Sequence, residues 1–180
     1  MKKTRPILTA ENYHALGVAM GKIHMRYALL LALGVYTGLR ISDLLRLTVS
    51  AVSSPRFSLK EGKTGKSRYI FIEPILHGLI QDYIRIHNLE PHHFLFFRHA
   101  SSKHKPISRQ WANTIIRRAA HSVGLCDIGC HSMRKTFACD LYTLTGRIRA
   151  VQAELNHRDI STTEIYLEDV LPGFRNSELT

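Results

Sequence analysis

With 180 residues and a hydrophobic fraction of 44%, the chain has enough apolar side chain to build one domain with a real core. Its 25 Lys and Arg against 14 Asp and Glu give a formal net charge of +11, an excess that points to a polyanionic partner. No apolar run is long enough to cross a bilayer, and no signal-peptide core follows Met1-Lys2-Lys3-Thr4-Arg5-Pro6, so the chain reads as cytoplasmic, with no role in a membrane.

Thr9 is placed to cap a first helix from Ala10 to about Ile23, with Glu11 and Asn12 in its first turn. An apolar helix follows from about Met25 to Thr37, stopped by Gly38, and then a short one from about Ile41 to Leu47. Ser53-Ser54-Pro55 is a break. Phe57-Ser58-Leu59 and Arg68-Tyr69-Ile70-Phe71-Ile72 alternate like strands around the glycine-punctuated turn Glu61 to Lys66, which predicts a hairpin. Pro74 fits the first position of a helix reaching about His87, and Phe94 to Phe97 reads as a short buried strand. Arg98 to Pro106 is a polar, basic loop.

Ser108 to Val123 is an amphipathic helix with Trp111, Ile115 and Ile116 on one side and Arg117 and Arg118 on another. Two more helices are predicted, His131 to Leu144 and Arg147 to Leu155. Ser161-Thr162-Thr163-Glu164 has the form of a capping box, so a last helix is expected to start there, carry Tyr166 and end at Pro172-Gly173, leaving a tail over 170–180. The fold class is therefore α+β, mainly α, with one small antiparallel sheet. Three cysteines, an odd number, argue against a disulfide framework, and Cys126 and Cys130 beside His121 and His131 match no common zinc spacing. The cysteines read as small buried hydrophobes, with no metal and no cofactor expected.

Four stretches carry chemistry: Thr37-Gly38-Leu39-Arg40, Lys63-Thr64-Gly65-Lys66, His131-Ser132-Met133-Arg134, and His157 with Tyr166. Each has an ordinary structural explanation when taken singly. Arg40 and Asp43 stand three apart and are expected to pair, leaving the arginine aimed at an anion. Lys63 at a hairpin tip can donate a proton to a leaving oxygen, while Lys66 and Arg68 are suited to phosphates. His131 and Arg134 share a helical face. Together they supply two guanidiniums, an ammonium, two imidazoles and a phenol. Two arginines can grip a phosphodiester bidentately as a fifth oxygen attacks phosphorus. Ionising a phenol at neutral pH costs about 4 kcal/mol, which nearby cations offset. Attack by tyrosine keeps the bond energy in a covalent ester, so rejoining needs neither ATP nor metal.

In order, spacing and neighbours these motifs resemble the tyrosine recombinase (phage integrase) family over about Thr9 to Asp169. Thr37 to Leu47 resembles its first-arginine motif, Lys63-Thr64-Gly65 its hairpin lysine, His131 to Ala138 its His-x-x-Arg box, and Leu155-Asn156-His157 with Ser161 to Tyr166 its final histidine and nucleophile. The resemblance implies a single catalytic domain over 1–180 that makes a 3′-phosphotyrosyl link through Tyr166. In that scheme Lys63 protonates the leaving 5′-hydroxyl, and Arg40, Arg134 and His157 stabilise the transition state. His131 assists proton transfer, Asp43 orients Arg40, and Lys66, Arg68, Arg109 and Lys135 contact DNA. It further implies double-stranded DNA as substrate, a tetramer on paired sites, accessory DNA-bending proteins and a place at the nucleoid.

Asn156 stands where the family often has glycine, a change expected to be tolerated, and Lys135 where histidine is common. Only about eight residues precede the first helix, so the chain resembles catalytic-domain-only members such as the fimbrial-switch invertases, without the usual N-terminal clamp. Two other classes remain open: a non-catalytic DNA-binding regulator on the same fold, and a type IB topoisomerase.

Overall fold

The computed structural model describes residues 4–7, 9–99, 101–168, 171 and 174. Thr9 Oγ1 accepts the Asn12 amide and starts α1, Ala10–Ile23. His24 then caps α2, Met25–Thr37, through its Nδ1 and the Arg26 amide. The short α3, Ile41–Leu44, follows the Gly38 stop and is shorter than its apolar pattern suggested. A 3₁₀ turn at Ser50–Val52 leads to β1, Arg56–Lys60, and β2, Ser67–Phe71. The strands pair antiparallel from Arg56 opposite Phe71 to Lys60 opposite Ser67.

Next come α4, Pro74–Ile86; α5, Arg109–Ser122; α6, Cys130–Thr145; α7, Ile148–Glu154; and α8, Ile160–Glu168. Two further expectations differ from the structure. Phe94 to Phe97 makes only isolated bridges, Thr48 to Phe94 and Phe97 to Pro106, because the chain around it is held by loops and offers no partner strand. The helix α8 begins at Ile160, so Ser161 and Glu164 lie inside it and do not form its cap. The expected end at Pro172-Gly173 and most of the tail over 170–180 lie outside the described residues.

One core cluster gathers Leu16 and Met20 of α1, Leu30, Leu31 and Leu33 of α2, Ile80 and Tyr83 of α4, Phe96, and Ile116 of α5. A second, under α6 to α8, holds Ala138, Cys139, Val151, Leu155, Leu167 and Phe174. The helix α6 contributes to both, Met133 to the first and Ala138 and Cys139 to the second, and it packs against α2. A Cβ at Gly34 would stand 2.4 Å from Met133 Sδ, so the absence of a side chain there allows the helices to touch. Cys130 and Cys139 are buried, and burial pushes their thiols up to about 12, as expected for inert packing residues. Cys126 differs, since it is exposed. No helix among the described residues is long and apolar enough to cross a membrane.

Candidate active site

The α2–α6 crossing sets the first two arginines. Gly38 ends α2 in the left-handed region at φ 60, and a Cβ there would fall 2.3 Å from Phe137 Cδ1. Both the backbone angle and the close approach require glycine. Two residues later Arg40 is the N-cap of α3, in extended conformation. Arg134, 5% exposed, reaches back from α6. Its Nη1 donates to the Gly38 carbonyl at 2.6 Å and its Nη2 to the Leu155 carbonyl at 2.6 Å. One guanidinium thus ties the end of α2 to the end of α7. Burial, reinforced by the neighbouring Arg40 charge, lowers its pKa to about 10, which still leaves it a cation at neutral pH.

The expected Arg40–Asp43 pair does not form. An i, i+3 contact needs both residues in helical geometry, and Arg40 is extended. Asp43, fully buried, instead accepts Arg46 Nη2 at 2.7 Å and the Gly62 amide at 3.0 Å. The partner of Arg40 is Glu61, at 2.5 Å from Nη1 to Oε2. Sequence reading missed Glu61 because the two lie 21 positions apart and meet only once the hairpin folds back on α3.

Lys63 sits on the loop between β1 and β2 and is exposed. His157 follows Asn156, which adopts φ 53. Asparagine is among the few side chains that tolerate this left-handed geometry, so the replacement of glycine is accommodated. His157 Nδ1 lies 3.0 Å from Thr163 Oγ1, and its ring meets Tyr166 edge-on at 5.8 Å. Burial, with the charges of Arg134 and Arg40, lowers the His157 pKa to about 4, so its imidazole is neutral at pH 7. His131 stays solvent-accessible, yet crowding desolvates it, and Arg109, Lys135, Arg134 and Lys63 hold its pKa further down. The Tyr166 hydroxyl is buried and has no hydrogen-bond partner among the described residues. Burial raises its pKa, and the Arg134 charge opposes that rise.

Arg40, Lys63, His131, Arg134, His157 and Tyr166 all line one cleft of about 880 Å³. Arg109 lines it too and is exposed, as is Lys66 on the hairpin. Two further residues expected to contact DNA are buried, with their charged groups engaged inside the fold. Arg68 is 8% exposed and donates to the Thr37 carbonyl at 2.8 Å and to Glu154 at 3.0 Å, because the alternation of β2 turns it inward. Lys135 is 6% exposed on the inner side of α6 and donates to the Thr4 carbonyl at 2.7 Å, with its ammonium 6.0 Å from the Tyr166 ring centre.

Among the described residues one group has the donors for a metal: His92, His93 and His104, whose ligand atoms lie within 4.8 Å of one another. None of them lines the cleft. His93 Nδ1 already accepts the Glu90 amide at 2.8 Å, which leaves the ring proton on Nε2, so coordination by His93 would displace one or the other.

The phage integrase family model matches residues 6–170. The chain belongs to the phage integrase family. The chain is similar to a probable integrase/recombinase YoeC of Bacillus subtilis, 34% identical over 93% of this chain and 91% of that protein's length. It is also similar to a tyrosine recombinase XerD of Halalkalibacterium halodurans, 31% identical over 92% of this chain but only 58% of that protein's length, so the chain spans little more than half of such relatives. The fold is shared with a crystal structure of XerA recombinase, at TM-score 0.77 and 19% identity over 99% of this chain and 65% of that one. A lambda integrase dimer bound to a COC′ core site matches at TM-score 0.72 and 22% identity, over 94% of this chain and 49% of that one. The mainly helical architecture with its two-stranded sheet is that of tyrosine recombinase catalytic domains.

Proposed function

We propose that the chain is a site-specific DNA recombinase that cuts and rejoins duplex DNA through a 3′-phosphotyrosyl intermediate. The observation that carries this reading is the convergence of two arginines, a lysine, two histidines and a tyrosine on one cleft of a protein of net charge +11. The scissile phosphate sits against Arg40 and Arg134, whose guanidiniums offset charge as the fifth oxygen approaches phosphorus. Tyr166 leaves its buried position, its oxygen bonds to phosphorus, and the bond to the 5′-oxygen breaks. The phenol proton passes to His131, whose lowered pKa makes it neutral and able to accept. The leaving 5′-oxygen takes a proton from Lys63. His157, neutral and set by Thr163, acts as a hydrogen-bond donor to the phosphate rather than as a cation.

Arg109 and Lys66 contact the DNA backbone, and pairs of bound sites assemble four copies of the chain, with DNA-bending accessory proteins assisting where the sites lie far apart. The alternatives divide cleanly by assay. A pool of nicked duplexes with randomised arms, first enriched for binding, is incubated with the protein and run on a denaturing gel. A covalent adduct that disappears in Tyr166→Phe is the expected result. Enriched DNA that binds tightly and never forms an adduct refutes the enzyme in favour of a regulator, and relaxation of supercoiled plasmid without any enriched site points to a topoisomerase.

A further inference from the structure

We propose that Glu61 is a positioning residue that locks the phosphate-binding Arg40, the Lys63 loop and the His157 turn into one register. The inference rests on the recombinase reading above. Glu61 immediately follows β1 and is 1% exposed. Its backbone closes the hairpin loop from both directions: its amide donates to the Lys66 carbonyl at 3.0 Å, and its carbonyl accepts the Gly65 amide at 2.9 Å.

The side chain then gathers three segments on a single oxygen. Oε2 accepts Arg40 Nη1 at 2.5 Å, Thr64 Oγ1 at 2.7 Å and Asn156 Nδ2 at 3.1 Å. Oε1 is buried with no partner among the described residues. Neither a loop nor a helix cap needs a buried carboxylate at this place, and such a group is strongly unfavourable unless its charge is matched. The match here is Arg40, held from behind, since Glu61 does not line the cleft while Arg40, Thr64 and Asn156 do.

The consequence is mechanical. Lys63 lies between the Glu61 anchor and Thr64, and Asn156 directly precedes His157. The proton donor, the phosphate grip and the neutral histidine therefore share one fixed point, and releasing it shifts all three relative to the phosphate. A displacement of about 1 Å in such a set lowers a rate about 100-fold.

The test uses the full chain and two variants, on enriched nicked duplexes containing either an ordinary phosphodiester or a 5′-bridging phosphorothiolate. The sulfur leaves without a proton, so the second substrate bypasses the Lys63 step. Glu61→Gln keeps the shape and removes the charge. Thr64→Val cuts the hairpin arm, together with the long contact of the Lys66 amide to Thr64 Oγ1 at 3.4 Å, and leaves the Arg40 and Asn156 arms in place. With DNA saturating, Glu61→Gln should form adduct about 100-fold more slowly on the phosphodiester. Its DNA affinity at fixed salt should be unchanged or tighter, since it loses a negative charge. The phosphorothiolate should erase the Thr64→Val defect and shrink, without erasing, the Glu61→Gln defect, because Arg40 stays displaced.

Full wild-type rates in Glu61→Gln overturn the proposal alone. So does a loss equal on both substrates that tracks lowered melting and weaker binding, which marks a merely structural role. If Glu61→Gln does not fold, an undiminished phosphodiester rate in Thr64→Val overturns it. Absence of any adduct with wild type overturns the recombinase reading, and this one with it.

Discussion

Acidification from pH 7 to 5 should destabilise the protein through His157. The pKa of this imidazole falls from 6.5 to about 4 on folding, because burial and the cations Arg134 and Arg40 disfavour its charged form. Between those two values the unfolded chain binds a proton that the folded chain refuses, so stability rises with pH there and is lost as pH falls. A tenfold change in proton affinity corresponds to about 1.4 kcal/mol, giving a ceiling of about 3 kcal/mol for the whole titration and about 2 kcal/mol by pH 5. His24, His87, His93 and His131 also have lowered values, so the bare pH profile mixes several groups. The clean measurement compares urea unfolding of wild type and His157→Gln at both pH values. The glutamine cannot titrate, and the other histidines cancel in the difference. Wild type should lose about 2 kcal/mol more than the variant. Parallel losses in the two proteins would refute the placement of His157 between the cations. DNA gives the complementary sign: a bound phosphate raises the imidazole pKa, so acidification should strengthen binding of wild type more than of the variant.

Gly38→Ala should cost about 2–4 kcal/mol in chemical denaturation, combining a left-handed φ with a methyl pushed into the Phe137 ring. A loss below about 0.5 kcal/mol would contradict the close crossing of α2 and α6. Tyr166→Phe should abolish adduct formation yet leave stability within about 1 kcal/mol of wild type or above it, since the hydroxyl removed is buried without a partner among the described residues; a marked drop in melting temperature counts against that environment. Lys66→Ala should reduce the slope of log affinity against log salt by about 0.9, as for one lost phosphate contact. Arg68→Met should leave that slope unchanged while lowering stability, because Arg68 is spent on Thr37 and Glu154. Equal slopes for wild type and Lys66→Ala, or a reduced slope in Arg68→Met, would reverse these assignments.

Much of the architecture was legible locally. Thr9, Gly38 and Pro74 mark helix ends through capping, left-handed geometry and a fixed φ, and each acts within a few residues of itself. The hairpin follows from alternation around a glycine-bearing turn. The failures share a cause as well. Phe94 to Phe97 has the apolar run of a strand, but a strand needs a neighbour, and the sequence does not state which segment lies beside it. Ser161 and Glu164 fit a capping pattern that a helix starting at Ile160 overrides.

At the site, the linear order of motifs is enough to single out Arg40, Lys63, His131, Arg134, His157 and Tyr166, which the fold brings to one cleft. Which charge pairs with which emerges from the packed chain alone. Asp43 is nearer to Arg40 in sequence, yet an extended N-cap points the arginine elsewhere, to a carboxylate from the folded hairpin. Arg68 and Lys135 are basic in composition but inward in space, because strand alternation and helix facing set exposure. The neutrality of His157 and the sealed Tyr166 hydroxyl likewise come from burial beside cations contributed by distant segments. Local rules fix backbone punctuation over a few residues, whereas pairing and pKa depend on distances across the fold, which exist only once the helices and the hairpin have packed.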